Sequence, residues 1–184
     1  KALREQFSLE AVAIQRHWPG RLEIEIREPA ATLVWVTGSA SYEVDRSGIV
    51  LQPVSTREAI QEQGSLRLLR PQAASQGTPI IYDLSNTPVP ADQEVVGESQ
   101  VTFFLDLSKQ MSDVLEFPPA HYRYQKSERT VEVVTQGGWR IIVGIDRSIT
   151  QQVAALKTVL DSAIKNQASL DYVDVRFGGK VYYR

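Results

Sequence analysis

The closing run of the chain, residues 170–184 (LDYVDVRFGGKVYYR), most constrains what it can fold into. Two stretches of alternating apolar and polar residues flank Gly178-Gly179, and a glycine pair supplies the positive backbone angles that a two-residue turn demands. The run therefore predicts a hairpin in which Phe177 opposes Lys180. Counting back from that turn pairs Arg176 with Val181, Val175 with Tyr182, Asp174 with Tyr183 and Val173 with Arg184. Side chains alternate along a strand, so Val173, Val175, Phe177 and Tyr182 share one face, the expected core side, while Asp174, Arg176, Val181 and Tyr183 share the other. The last strand is also the last piece of the chain, so its outer side is expected to lack a neighbour.

Upstream of the hairpin, three strands are expected over His121 to Gln125, Thr130 to Thr135 and Trp139 to Val143, the last two joined through Gly137-Gly138. A helix follows: Ser148 and Gln151 have the spacing of a capping box, and Ile149, Val153, Leu156, Leu160 and Ile164 form its buried stripe, ending near Gln167. An earlier helix over Ser99 to Leu115 carries Val101, Phe104, Leu105, Met111 and Leu115 on one face and stops before Pro118-Pro119. Near the start, residues 1–10 have helix-forming composition, Ala11 to Arg16 read as a strand, Trp18-Pro19-Gly20 as a turn, and Leu22, Ile24 and Ile26 alternate with Glu23, Glu25 and Arg27 in a half-buried strand. Thr32 to Val36, Tyr42 to Val44 and Ile49 to Leu51 form a small meander. Between Gln52 and Gln100, prolines and polar residues interrupt short apolar runs, which predicts surface loops with one or two short strands and a helical turn at Thr56 to Gln63.

With 184 residues and 42% hydrophobic content, the chain has enough apolar material for a substantial core. Its formal charge is −2 with both signs interspersed, and no Lys/Arg block tracks a phosphate backbone, so nucleic acid is not an expected partner. No cysteine is present, which removes disulfides, thiol catalysis and cysteine metal sites together. No span of about 18 apolar residues exists to cross a bilayer. The chain begins at Lys1 without a signal-like segment and reads as a piece of a longer protein, with any membrane anchor upstream.

Residues that could carry chemistry are scattered. His17 stands beside a Trp-Pro turn and His121 begins a strand, neither with a second ligand at a metal-binding spacing. Asp106, Asp113 and Glu116 fall on the solvated side of an amphipathic helix, and Glu23 and Glu25 on the wet face of a strand. Gly137-Gly138 and Gly178-Gly179 each join strand to strand, so neither is a phosphate-cradling loop. Trp18, Trp35 and Trp139 are far apart in sequence and suggest separate packing sites. No catalytic residue, metal ligand, cofactor site or small-molecule substrate is expected.

Three blocks carry a family likeness. Arg16-His17-Trp18-Pro19-Gly20-Arg21-Leu22-Glu23-Ile24-Glu25-Ile26-Arg27-Glu28-Pro29, then Tyr42 with Val44-Asp45-Arg46-Ser47-Gly48, then Tyr172-Val173-Asp174-Val175-Arg176-Phe177-Gly178-Gly179-Lys180-Val181-Tyr182 together resemble the FtsQ/DivIB cell-division proteins in order and spacing. The resemblance implies an α+β architecture: residues 1–28 as the C-terminal part of a POTRA-like domain, a partial βα unit, and 29–184 as an FtsQ/DivIB-like β domain, mixed but mainly antiparallel, with helices packed on one face and an exposed C-terminal edge strand. It implies a non-enzymatic divisome scaffold in septum formation, outside the cytoplasm (in a periplasm or at the outer face of the plasma membrane), carried by a single membrane-spanning helix upstream. Its implied partners are other divisome proteins, above all small bitopic ones of the FtsB/DivIC and FtsL types. The partner-binding positions carried over are Phe177, Gly178, Gly179, Lys180, Val181, Tyr182 and Tyr183.

Strand addition to a free edge agrees with that resemblance. On the expected register, Tyr183→Ala and Val181→Glu weaken partner binding while Tyr182→Ala costs mainly stability. Two other readings compete: a POTRA-containing component of an outer-membrane secretion or assembly machine, and a secreted hydrolase using Asp106 or Asp113 with His121.

Overall fold

The computed structural model describes residues 11–27, 30–38, 40–54, 56–61, 67–71, 77–87, 89, 93–164 and 166–184. The chain divides into two compact units, Lys1–Ala31 and Thr32–Arg184. The helix expected over residues 1–10 lies outside the described residues.

In the first unit, β1 (Ala11–His17) and β2 (Arg21–Arg27) form an antiparallel hairpin with Ile14 opposite Ile24 and His17 opposite Arg21. The Trp18–Pro19 peptide in its turn is cis, and the Arg16 guanidinium stands 5.0 Å above the Trp18 ring. The alternation separates two faces as the sequence predicts. Glu23, Glu25 and His17 lie on one, with His17 Nε2 3.0 Å from Glu23 Oε2. Ile14, Leu22, Ile24 and Ile26 lie on the other, and among the described residues all four are exposed.

The second unit is built on one sheet. Its strands are β3 (Leu33–Thr37), β4 (Ala40–Val44), β5 (Val50–Pro53), β8 (Ile80–Asp83), β9 (His121–Gln125), β10 (Thr130–Val134), β11 (Arg140–Gly144), β12 (Tyr172–Asp174) and β13 (Tyr182–Tyr183). They lie in the order β13-β12-β11-β10-β9-β8-β3-β4-β5, with five of eight pairings antiparallel and β3–β8, β8–β9 and β11–β12 parallel. Parallel neighbours need a crossover. Two helices provide it for two of the three pairs: α1 (Glu98–Val114) connects β8 to β9 and α2 (Ile149–Ser162) connects β11 to β12.

Both helices pack on the same face of the sheet. Val101, Phe104, Leu107 and Met111 of α1 recur at helical spacing and are fully buried, with Val153 and Leu156 of α2 in the same core as Leu33, Trp35, Ile81, Tyr122, Val133, Ile141 and Val173. Trp35, Phe104 and Tyr124 meet edge to face at centroid distances of 5.6–6.2 Å, each pair adding about 0.5–1.5 kcal/mol beyond its buried area. The Ser148 hydroxyl caps α2 by accepting from Gln151 N–H at 3.4 Å. Burial pushes the Tyr122 phenol up to about 12, with Ser108 pulling the other way.

The 52–100 stretch departs from expectation. Thr56–Gln61, read as a helical turn, is strand β6, paired antiparallel with β7 (Arg67–Pro71). β8 lies in the stretch expected to hold surface loops with one or two short strands, but it is a central strand between β3 and β9, and Ile81 has no exposed surface. A short parallel strand covered on both faces is a continuous apolar run rather than an alternating one, so period-2 patterning does not reveal it.

Candidate functional site

β12 lies parallel to β11, pairing Ile141 with Val173 and Ile142 with Asp174, and Val175 N–H continues the ladder onto Ile142 C=O at 3.1 Å. Val173 and Val175 are buried in the helix-side core, as expected. The Gly178-Gly179 turn also forms as expected, with Lys180 N–H donating to Phe177 C=O at 2.9 Å and Gly179 at φ +76°.

The register beyond the turn is shifted by one residue from the sequence reading. Val173 opposes Tyr183 and Asp174 opposes Tyr182, with Arg184 N–H donating to Tyr172 C=O at 3.2 Å. The cause is Asp174, whose Oδ1 accepts the Arg176 backbone N–H at 3.0 Å, so that one residue of the outgoing strand is taken out of the ladder by a side-chain turn. A one-residue slip exchanges the faces. Tyr182, expected in the core, is exposed on the outer face and meets Phe177 edge-on at 5.5 Å. Phe177 itself, also expected in the core, is exposed. Val181, expected on the outer face, packs partly buried against the core, and Tyr183 stands half-exposed on the helix side.

Asp174 is buried and anchors this arrangement. It accepts from Arg176 Nη2 at 2.6 Å and Nε at 3.0 Å, which holds the guanidinium protonated above its ordinary value, and the guanidinium stands 5.5 Å from the Phe177 ring centroid. One cross-strand row on the outer face runs Tyr82, Arg123, Glu132, Ile142, Asp174, Tyr182, with Glu132 bridging Arg123 at 3.4 Å and Arg140 at 3.2 Å.

Beside the turn, a groove of about 440 Å3 opens between Phe177–Gly179 and the start of α2, lined by Arg147, Ser148, Gln151 and Ala155. Gln152, absent from the sequence reading, fixes the helix there: its Oε1 accepts Gly144 N–H at 2.8 Å and its Nε2 donates to Gly144 C=O at 2.9 Å, acting as a surrogate strand partner at the end of β11. Its position within the buried stripe of α2 was the available signal. Asp146, held below the usual carboxylate range by its hydrogen bond to Arg129, closes the far side.

Among the described residues β13 has one neighbour, β12, and ends the sheet. Tyr172 and Arg184 exchange the inward hydrogen bonds, so by antiparallel alternation Tyr182 also faces β12 while Val181 and Tyr183 turn their N–H and C=O groups outward. This edge brings Phe177 to Tyr183 together. The other candidates stay apart: Asp106 and Asp113 are exposed on α1, on the helix side, whereas the His121 ring meets Tyr82 at 5.0 Å on the opposite face. The sheet separates them.

The model of the family described as cell division protein FtsQ/DivIB, C-terminal, matches residues 33–176. The chain belongs to the FtsQ/DivIB family. The match covers β3 through Arg176, hence the whole sheet except β13. The family is one of cell-division scaffold proteins of the divisome. No curated protein sequence matches the chain.

Proposed function

We propose that this FtsQ/DivIB chain is a non-enzymatic divisome scaffold that receives an extended segment of an FtsB/DivIC-type partner, travelling with an FtsL-type protein, by strand addition to β13. The observation that carries the reading is the single-sided pairing of β13 at one end of the sheet, whereas at the other end, β5, residues 93–95 bond back onto residues 48–50. The residues assigned to binding are Phe177, Gly178, Gly179, Lys180, Val181, Tyr182 and Tyr183, and family membership supports the identity of the partner. In this reading the domain lies outside the cytoplasm, anchored through a membrane-spanning helix upstream of Lys1. Residues 1–28 close a POTRA-like domain, and the exposed aliphatic face of the β1–β2 hairpin is the side that the remainder of that domain covers.

Magnitudes show what must set affinity. The outward groups of Val181 and Tyr183 offer four ladder bonds at about 1 kcal/mol net each, and association costs about 4 kcal/mol or more. Side chains and tethering of both partners to one membrane supply the rest. Tyr183→Pro tests the reading, because it deletes an outward N–H and no internal hydrogen bond. Partner affinity should fall more than about tenfold, with the thermal melt unchanged. Retained binding would refute strand addition at this edge.

A further inference from the structure

The charges bracketing the edge carry a second message. Along 180–184, alternation places Lys180, Tyr182 and Arg184 on the outer face and Val181 and Tyr183 on the helix side. Lys180 is exposed with no carboxylate partner among the described residues. Arg184 reaches Asp171 loosely, Nε to Oδ2 3.4 Å with both side chains mostly in solvent, which leaves most of its five donors available. Asp174 is committed to Arg176. Both ends of the open edge are therefore cationic.

A second copy could reach the same edge. In a second antiparallel pairing outward-facing residues must oppose outward-facing ones, and the self-pairing that uses all of 180–184 is centred on Tyr182. It sets Val181 against Tyr183 and places Lys180 against Arg184 twice by symmetry. Like charges directly opposite are destabilising, and edge lysines are a known guard against such pairing.

Resting on the strand-addition reading above, we propose that Lys180 and Arg184 are the selectivity elements of the edge: they reject self-pairing and select an extended protein segment with carboxylates four residues apart, acid–apolar–any–apolar–acid. The two apolar positions of that segment fall opposite Tyr183 and Val181, and its central position opposite Tyr182.

The test is an amide NMR titration of the whole chain with two capped peptides that differ only at the flanks of one core, Glu-Val-Thr-Val-Glu and Lys-Val-Thr-Val-Lys. The Glu peptide should shift the Val181 and Tyr183 amides and bind about tenfold or more tighter at low salt, the difference shrinking as salt is raised. The double variant K180E/R184E, altered only at exposed positions, should reverse the preference. The single variant Lys180→Glu places Glu opposite Arg184 in the symmetric register and should raise self-association in sedimentation over the native chain. Equal binding of the two peptides at those amides would overturn charge selection and leave strand addition standing. No shift at those amides with either peptide would overturn both.

Discussion

The two ends of the sheet are built in opposite ways. At the β5 end, Val50 N–H donates to Gln93 C=O at 3.1 Å, Val95 N–H donates to Gly48 C=O at 2.9 Å, and Ile49 bridges Glu94, so a strap from residues 93–95 covers the start of the edge. Pro53 finishes the strand without an N–H to offer, and the register shifts at Glu43/Val44. At the β13 end no such strap exists among the described residues, and two tyrosines and a phenylalanine stand half-exposed. A sheet that seals one edge with backbone, proline and a shifted register has the means to seal the other. On the strand-addition reading, this contrast marks the open end as the interaction surface without reference to side-chain chemistry.

The sharpest way to break the contrast is at the sealed end. Gly48 sits at φ +85°, and a Cβ there would stand 1.7 Å from the Val96 carbonyl oxygen. Gly48→Ala should cost about 3 kcal/mol or more in chemical denaturation, while partner affinity of the folded fraction at β13 stays as it was.

The shared core that both ends depend on has its own signature. The Tyr122 phenol is raised to about 12 in the folded state and titrates near 10 when unfolded. The native state then holds a proton that the unfolded state has lost, so stability is intact below pH 10 and falls between pH 10 and 12, by about 2–3 kcal/mol. Tyr122→Phe should flatten that decline relative to the native chain in alkaline denaturation curves.

At the open end, the shifted register sets the order of effects. Val181→Glu drives a charge toward the core and should destabilise by about 1–3 kcal/mol, whereas Tyr182→Ala, on the exposed outer face, should cost under about 1 kcal/mol. Paired melts and binding titrations distinguish this from the unshifted register, which reverses the two.

Much of this fold is legible in the sequence where a periodic pattern and a stop signal coincide. α2 has its Ser148 cap and a buried stripe, α1 ends ahead of Pro118-Pro119, and Val173 and Val175 point to the core by alternation. Leu107 joins the buried face of α1 in addition to the residues read there. β6 escaped because Glu58, Ala59 and Gln61 favour helix by composition while pairing with β7 decides otherwise. The turn at Gly178-Gly179 was readable and the register behind it was not, since Asp174 competes for the Arg176 backbone N–H, two residues before Gly178. The open edge follows from the chain order of the strands. The groove beside α2 and the Gln152 clamp arise only from tertiary packing.

Hydrogen exchange at single-amide resolution, with and without a segment of the proposed FtsB/DivIC-type partner, tests the central claim most directly. The account predicts that the Val181 and Tyr183 amides exchange fast in the free chain and become protected on binding, with Tyr182 already slow through its pairing to Asp174. Slow exchange of Val181 and Tyr183 before the partner is added, or protection that appears elsewhere on the domain and not at these two residues, would contradict it.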